Sequence, residues 1–202
     1  MPLVRLFPLG GRLWHKNGVT SPVRPRRVPP PLDQTTLQEL ALRYAGKYAT
    51  TRAKLRSYLT RKLRERGWSE ESEPDLEALA NRFSMLGYVD DAAYALSQSR
   101  SLSTRGYGKR RLADKLRVAG VEDPDGAAAN AHAETEAVAA ALRFAQRRRL
   151  GPFASAPVEG PQREKWLAAM VRAGHPFRLA RTIAAMSPGA EVNEDQLSEL
   201  LG

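Results

Sequence analysis

The chain has no cysteine. That excludes disulfides, thiolate metal sites and a cysteine nucleophile, and it agrees with a reducing compartment. Its three histidines, His15, His132 and His175, form neither HExxH nor any other metal-ligand spacing. The nucleophile-elbow pattern GxSxG and the phosphate-loop pattern GxxxxGK(S/T) are both missing. No apolar run approaches the roughly 20 residues that span a bilayer. The opening stretch MPLVRLFPLGGRLWHKNG has neither a continuous apolar core nor a small-residue cleavage site, so no signal peptide is expected. No stretch after Gln34 alternates apolar and polar residues with a period of two, so strands are not expected. These absences point to a soluble, cytoplasmic protein of all-α class that is not an enzyme, with no cofactor and no metal.

What the chain does have is positive charge. Lys and Arg number 32 against 22 Asp and Glu, for a net charge of +10. Such an excess implies an anionic partner, either nucleic acid or an acidic protein surface. Residues 1–35 hold six bases and one acid, Asp33, while the last 16 residues hold Glu191, Glu194, Asp195 and Glu199 and no base. The excess therefore sits in the first half. SPVRPRRVPPPLD is Pro-rich and basic without apolar periodicity, so residues 1–35 are expected to be an extended or disordered arm, and residues 188–202 an acidic tail.

Between these ends the sequence reads as helix. In TTLQELALRYAGKYA, Leu37, Leu40, Ala41, Tyr44 and Ala45 share one face. In TTRAKLRSYLTRKLRERG, Leu55, Tyr58, Leu59 and Leu63 form the apolar stripe; Thr50 or Thr51 can cap the start and Gly67 can end it. PDLEALANRFSMLG places Pro74 in a first turn, with Leu76, Leu79, Phe83 and Leu86 following at helical spacing. Next comes LGYVDDAAYA, where Asp90 or Asp91 stands between a turn and an apolar helical run. A carboxylate there accepts free backbone N–H groups and faces the positive end of the helix dipole, which makes it a cap rather than a metal ligand.

The Tyr-Ala pair in that stretch belongs to a repeat. Tyr44-Ala45, Tyr94-Ala95 and Phe144-Ala145 stand 50 residues apart. Each is followed by a basic helix that places a large apolar residue four before a glycine: Leu63 and Gly67, Leu116 and Gly120, Met170 and Gly174. A third short helix follows each time, near 74–86, 125–137 and 176–186, with Pro176 fitting a first turn. The chain is therefore read as three tandem three-helix repeats, 36–89, 90–137 and 138–187, each resembling a helix-turn-helix unit. Units this small have limited cores and lean on their neighbours, so an elongated, curved arrangement of a monomer is expected.

Three basic clusters are the candidate contact surfaces. The second helix of the first repeat carries Arg52, Lys54, Arg56, Arg61, Lys62, Arg64 and Arg66 against Glu65 alone. Like charges at helical spacing repel by about a few tenths of a kcal/mol each, which favours a functional contact with an anion. RGYGKRRLADKLRVAG places Arg105, Lys109, Arg110, Arg111, Lys115 and Arg117 around a helix start. Gly106 and Gly108 would let a phosphate or carboxylate approach the N–H groups there. QRRRLG adds Arg147, Arg148 and Arg149. Trp68, Trp166, Tyr88 and Tyr107 are read as packing residues.

GYVDDAAYA (Gly87–Ala95) followed by RGYGKRRLADKLRVAGV (Arg105–Val121) closely resembles the central signature of the RecX family, bacterial regulators of the RecA recombinase. RRLGPF and REKWLAAMVRAGH resemble the third repeat of that family, and the resemblance covers about residues 37–186. It implies three tandem three-helix repeats and a non-enzymatic modulator that binds along the groove of the RecA–single-stranded DNA filament. It also implies that filament growth, ATP hydrolysis, strand exchange and coprotease activity are limited. Residue by residue, the family pattern supports Arg105, Gly106, Tyr107, Gly108 and Arg111. Two features depart from it: Thr51 and Lys54 stand where the family often has Ser and Glu, and the N-terminal extension is not part of the family core. The rival reading is a sequence-independent DNA-binding protein acting without RecA; the basic helices hold few Asn or Gln, which favours phosphate contact over base reading.

Overall fold

Asp33 starts the helical part of the chain: its side chain accepts the Thr36 N–H at 2.8 Å, and helix α1 (Gln34–Lys47) follows. The structure, a computed structural model, describes residues 29–201. The greater part of the basic Pro-rich arm, with His15, lies outside the described residues. Of the chain's two units, Met1–Pro30 and Pro31–Gly202, the second holds all the helices described.

These helices form three successive triplets. The first is α1, α2 (Arg52–Arg66) and α3 (Leu76–Met85). The second is α4 (Asp91–Thr104), α5 (Lys109–Ala119) and α6 (Asp123–Thr135). The third is α7 (Ala137–Arg148), α8 (Gly160–Arg172) and α9 (Phe177–Ala185), followed by the short α10 (Glu194–Glu199). Each triplet closes over its own apolar cluster: Leu37, Leu55, Leu59 and Phe83 in the first, Tyr94, Leu102, Leu112 and Leu116 in the second, Phe144, Met170, Leu179 and Ile183 in the third. The aromatic-Ala pairs that announced the repeat pack into these clusters, Tyr44-Ala45 partly buried and the other two pairs buried. The fold is all-α; among the described residues the sole strand-like feature is an isolated bridge between Leu32 and Trp68.

That bridge moves one boundary. Residues 32–35 were expected to belong to the arm, but Leu32 is fully buried in the first cluster. Its N–H donates to the Gly67 carbonyl at 3.0 Å, and its own carbonyl accepts the Ser69 N–H at 2.9 Å. One apolar residue at the edge of a proline run gives no periodic signal, so the sequence hid it. Two helix starts also shift. Asp75 caps α3 by accepting the Ala78 N–H at 2.8 Å, so Pro74 lies ahead of the first turn, and Pro176 occupies the cap position of α9. The acidic C-terminal stretch contains α10, capped by Asn193 and held to the third cluster by buried Leu197.

Candidate partner-binding face

The two aspartates of LGYVDDAAYA part company in the structure. Asp90 caps α4, its carboxylate accepting the Ala93 N–H at 2.7 Å. Asp91 is buried and turns to the first repeat, accepting the Arg52 N–H at 2.9 Å and the Arg52 Nε–H at 3.3 Å. Arg52 reaches on to Asp125 at 2.8 Å and to Glu122 at 3.5 Å. Burial works against the charge of this guanidinium, but its hydrogen bond to Asp91 and the charges of Asp91, Glu122 and Asp125 outweigh it and leave its pKa raised.

The basic helix α2 is consequently much less unbalanced than its sequence. Lys54 donates to the Tyr94 hydroxyl and lies over that ring, 4.3 Å from its centre. Arg56 pairs with Glu77, and both Arg61 and Lys62 pair with Glu65. The Lys62 hydrogen bond holds the Glu65 carboxyl below its usual pKa. Arg64 is exposed and Arg66 half-buried. Counting charges within the helix found one acid. The fold supplies four more, Asp91, Glu122, Asp125 and Glu77, from α3, α4 and the start of α6. Arg52 and Lys54, candidates for partner contact, instead join the first repeat to the second.

The start of α5 also differs from expectation. Gly106 and Gly108 are buried against the third repeat rather than open to a ligand. The Gly108 N–H donates to the Ala173 carbonyl at 3.0 Å, and the Arg110 N–H to the Gly174 carbonyl at 3.3 Å. The end of α8 thus fills the anion site that the start of α5 would offer, and the positive end of one helix meets the negative end of the other. A Cβ on Gly108 would lie 2.2 Å from the Gly174 oxygen, so only glycine permits the contact. Beneath it His175 is 3% exposed, and its Nε2–H donates to the Gly106 carbonyl at 3.1 Å. A carbonyl only accepts, so Nε2 carries the proton and Nδ1 is bare; burial drives the pKa of the ring down to about 4.

What α5 exposes is its flank. Arg105, Tyr107, Arg111, Lys115 and Val118 line a depression of about 410 Å³. A second of about 240 Å³ adjoins it, sharing Arg111 and Asp114 and adding Arg110 and Arg172. Tyr107 packs on the clusters of both the second and third repeats and presents its ring to the Arg105 and Arg111 guanidinium groups, at 5.6 and 5.9 Å. The acid in this groove, Asp114, is engaged by Arg117 at 2.8 Å. No carboxylate of the described residues pairs with Arg110, Arg111, Lys115 or Arg172. Lys109 pairs with Glu134 outside the groove. Arg147 donates to the Arg105 carbonyl at 2.6 Å, Arg148 lies 5.8 Å from the Phe144 ring, and Arg149 ends α7 with φ 52°. Arg172 is the member that sequence reasoning missed; it joins the groove only because Gly174 docks on Arg111.

Known proteins resemble this chain. It is 35% identical over 178 residues to the regulatory protein RecX of Myxococcus xanthus, covering 83% of this chain and 91% of that protein. It belongs to the RecX family. The regulatory protein RecX of Agrobacterium fabrum is 32% identical over 153 residues, covering 74% of this chain and 80% of that one. The crystal structure of RecX from Lactobacillus salivarius superposes with a TM-score of 0.54 at 20% identity over 74% of this chain and 92% of that one, which shows the shared fold. No protein-family model matches the chain. Among the described residues no group of His, Cys, Asp and Glu could hold a metal ion, and no helix is long and apolar enough to cross a membrane.

Proposed function

We propose that the chain regulates RecA by binding the RecA–single-stranded DNA filament, and that the groove beside α5 is its principal contact. Bound along the filament as a cytoplasmic monomer, it limits filament growth, ATP hydrolysis, strand exchange and coprotease activity by bridging neighbouring subunits and obstructing an incoming duplex. It acts by occupancy and not by catalysis. Membership of the RecX family supports the choice of RecA. The observation that supports the contact surface is a contrast: in α2, Arg52 and Arg56 pair with acids from neighbouring elements and Arg61 and Lys62 with Glu65, whereas Arg110, Arg111, Lys115 and Arg172 line a groove and pair with no acid among the described residues. Unpaired cations cost little to transfer to an anionic surface, because no internal ion pair has to break first. Arg105 and Tyr107 frame the groove, Arg64 and the Arg147–Arg149 cluster add outlying charge, and Gly106 and Gly108 contribute by shaping the joint rather than by touching the partner.

A second reading has one observation in its favour: Tyr107 with two guanidinium groups beside it resembles the aromatic-plus-cation platforms on which single strands lie. On that reading DNA alone suffices. The discriminating experiment uses fluorescence anisotropy of the labelled protein, titrated with single-stranded DNA and separately with preformed RecA–DNA filament at matched salt. The proposal expects much tighter binding to the filament, weakened in a variant with Arg110→Glu and Arg111→Glu. Equal affinity for bare DNA and for filament would contradict it.

A further inference from the structure

The two joints between repeats are built differently. Between repeats 2 and 3 backbone meets backbone, Gly108 to Ala173 and Arg110 to Gly174, with His175 beneath, Tyr107 packed into the clusters of both repeats, and Arg143 and Arg147 donating to the Ser103 and Arg105 carbonyls. The clusters of repeats 1 and 2 have no residue in common. Their joint is polar, and its hydrogen bonds and ion pairs come from the first turn of α2: Thr51 Oγ donates to the Ala119 carbonyl at 2.6 Å, Lys54 to Tyr94, and Arg52 to Asp91, Asp125 and Glu122. The pairing is open to water on one side: Asp91 is buried, but Arg52 is 26% exposed, Asp125 33% and Glu122 72%. Ala53 also sits over Gly120, whose missing Cβ would lie 2.3 Å from the Ala53 Cβ, so the fit is close only while the joint is shut.

The covalent link across this joint is equally economical. Val89 is buried in repeat 1, and its N–H, like that of Tyr88, donates to the Phe83 carbonyl. Asp91 already begins α4. Asp90, the exposed cap of α4, is the one residue between the two bodies.

We infer that repeat 1 is a hinged arm: it pivots at Asp90 and is latched against repeat 2 by Arg52 on Asp91, Asp125 and Glu122. The Asp125 and Glu122 arms of this latch are hydrated and weaken as salt screens them, whereas a joint of buried backbone bonds does not. Opening carries the outer face of α2, with Arg61 and Arg64, away from the α5 groove. The distance between the two basic surfaces is then adjustable, and an anion competing for Arg52 favours the open form. This holds for the isolated chain and needs no assumption about the partner.

The absence of native cysteine makes the test direct, because introduced pairs are the only thiols. Spin labels at Ser57→Cys on α2 and Ala131→Cys on α6 report the first joint by pulsed dipolar spectroscopy; labels at Ala131→Cys and Ala185→Cys report the second. All three sites of attachment, Ser57, Ala131 and Ala185, are exposed. At low salt both pairs should give narrow distance distributions. Raising the salt, or introducing Arg52→Gln with Asp91→Asn, should broaden the first and shift it outward while leaving the second unchanged. Should the double variant fail to fold, the salt titration of the otherwise native chain still decides. A first-joint distribution that stays narrow under high salt overturns the inference, and so does one that is already broad at low salt.

Discussion

Gly108 and Gly174 meet backbone to backbone, with space at Gly108 for no side chain at all. Gly67 stands in the same position as Gly174 within its repeat, yet a Cβ there would meet nothing within 4 Å. The two sites therefore separate steric from conformational cost. Gly108→Ala must push apart two stretches of backbone and should cost about 3 kcal/mol. Gly67→Ala meets only the penalty of its positive φ of 78° and should cost about 1 kcal/mol. Urea-unfolding midpoints of the two variants check the order.

Asp90 and Asp91 should fail by different amounts. Asp90→Ala removes one helix cap and should cost about 1 kcal/mol. Asp91→Ala strips a buried carboxylate from both the Arg52 N–H and its guanidinium and should cost about 3 kcal/mol, moderated because Asp125 and Glu122 remain near the arginine. Thermal melts at a single pH distinguish the pair, and equal losses would contradict the separate roles.

His175 should make the joint between repeats 2 and 3 acid-sensitive. Folded, the ring stays neutral down to about pH 4; unfolded, it takes up a proton near its ordinary pKa of 6.5. Between those values the unfolded chain binds more protons than the folded one, so stability falls as pH falls, by about 3 kcal/mol across the window. Above pH 6.5 this group contributes no slope. Lys109 and Glu134 line the same cavity as His175, so the comparison has to be differential. His175→Gln keeps a donor for the Gly106 carbonyl and cannot ionise. Its unfolding midpoint should lose less than the native chain's between pH 7 and pH 4.5.

The helix triplets were legible because their signals are local. A 3.6-residue apolar stripe, a Thr51 or Asp90 cap and a closing Gly67 or Gly120 all lie within a few residues of what they control. The candidate face was half legible for the opposite reason. Arg52 looked free because its acids, Asp91 and Asp125, are 39 and 73 residues away. The RGYG turn was recognised as special, but its glycines serve the close approach of Gly174 and Phe144, which no spacing reveals. Leu32 was hidden by the prolines around it, and Arg172 by the joint that brings it to Arg111.

The central claim is that the unpaired cations beside α5 mediate control of RecA. The measurement that tests it most directly is the ATPase rate of the cognate RecA on saturating single-stranded DNA, titrated at fixed salt with three proteins: the native chain, Arg110→Glu with Arg111→Glu, and Arg61→Glu with Arg64→Glu. Far-UV circular dichroism confirms that each is folded. The account predicts that the native chain lowers the rate well below the amount needed to cover the DNA. The groove variant should need about tenfold more protein, as expected for losing about 1.4 kcal/mol of binding, and the α2 variant should stay nearer the native chain. A groove variant that inhibits like the native chain, or native inhibition only when the protein covers the DNA, would contradict it.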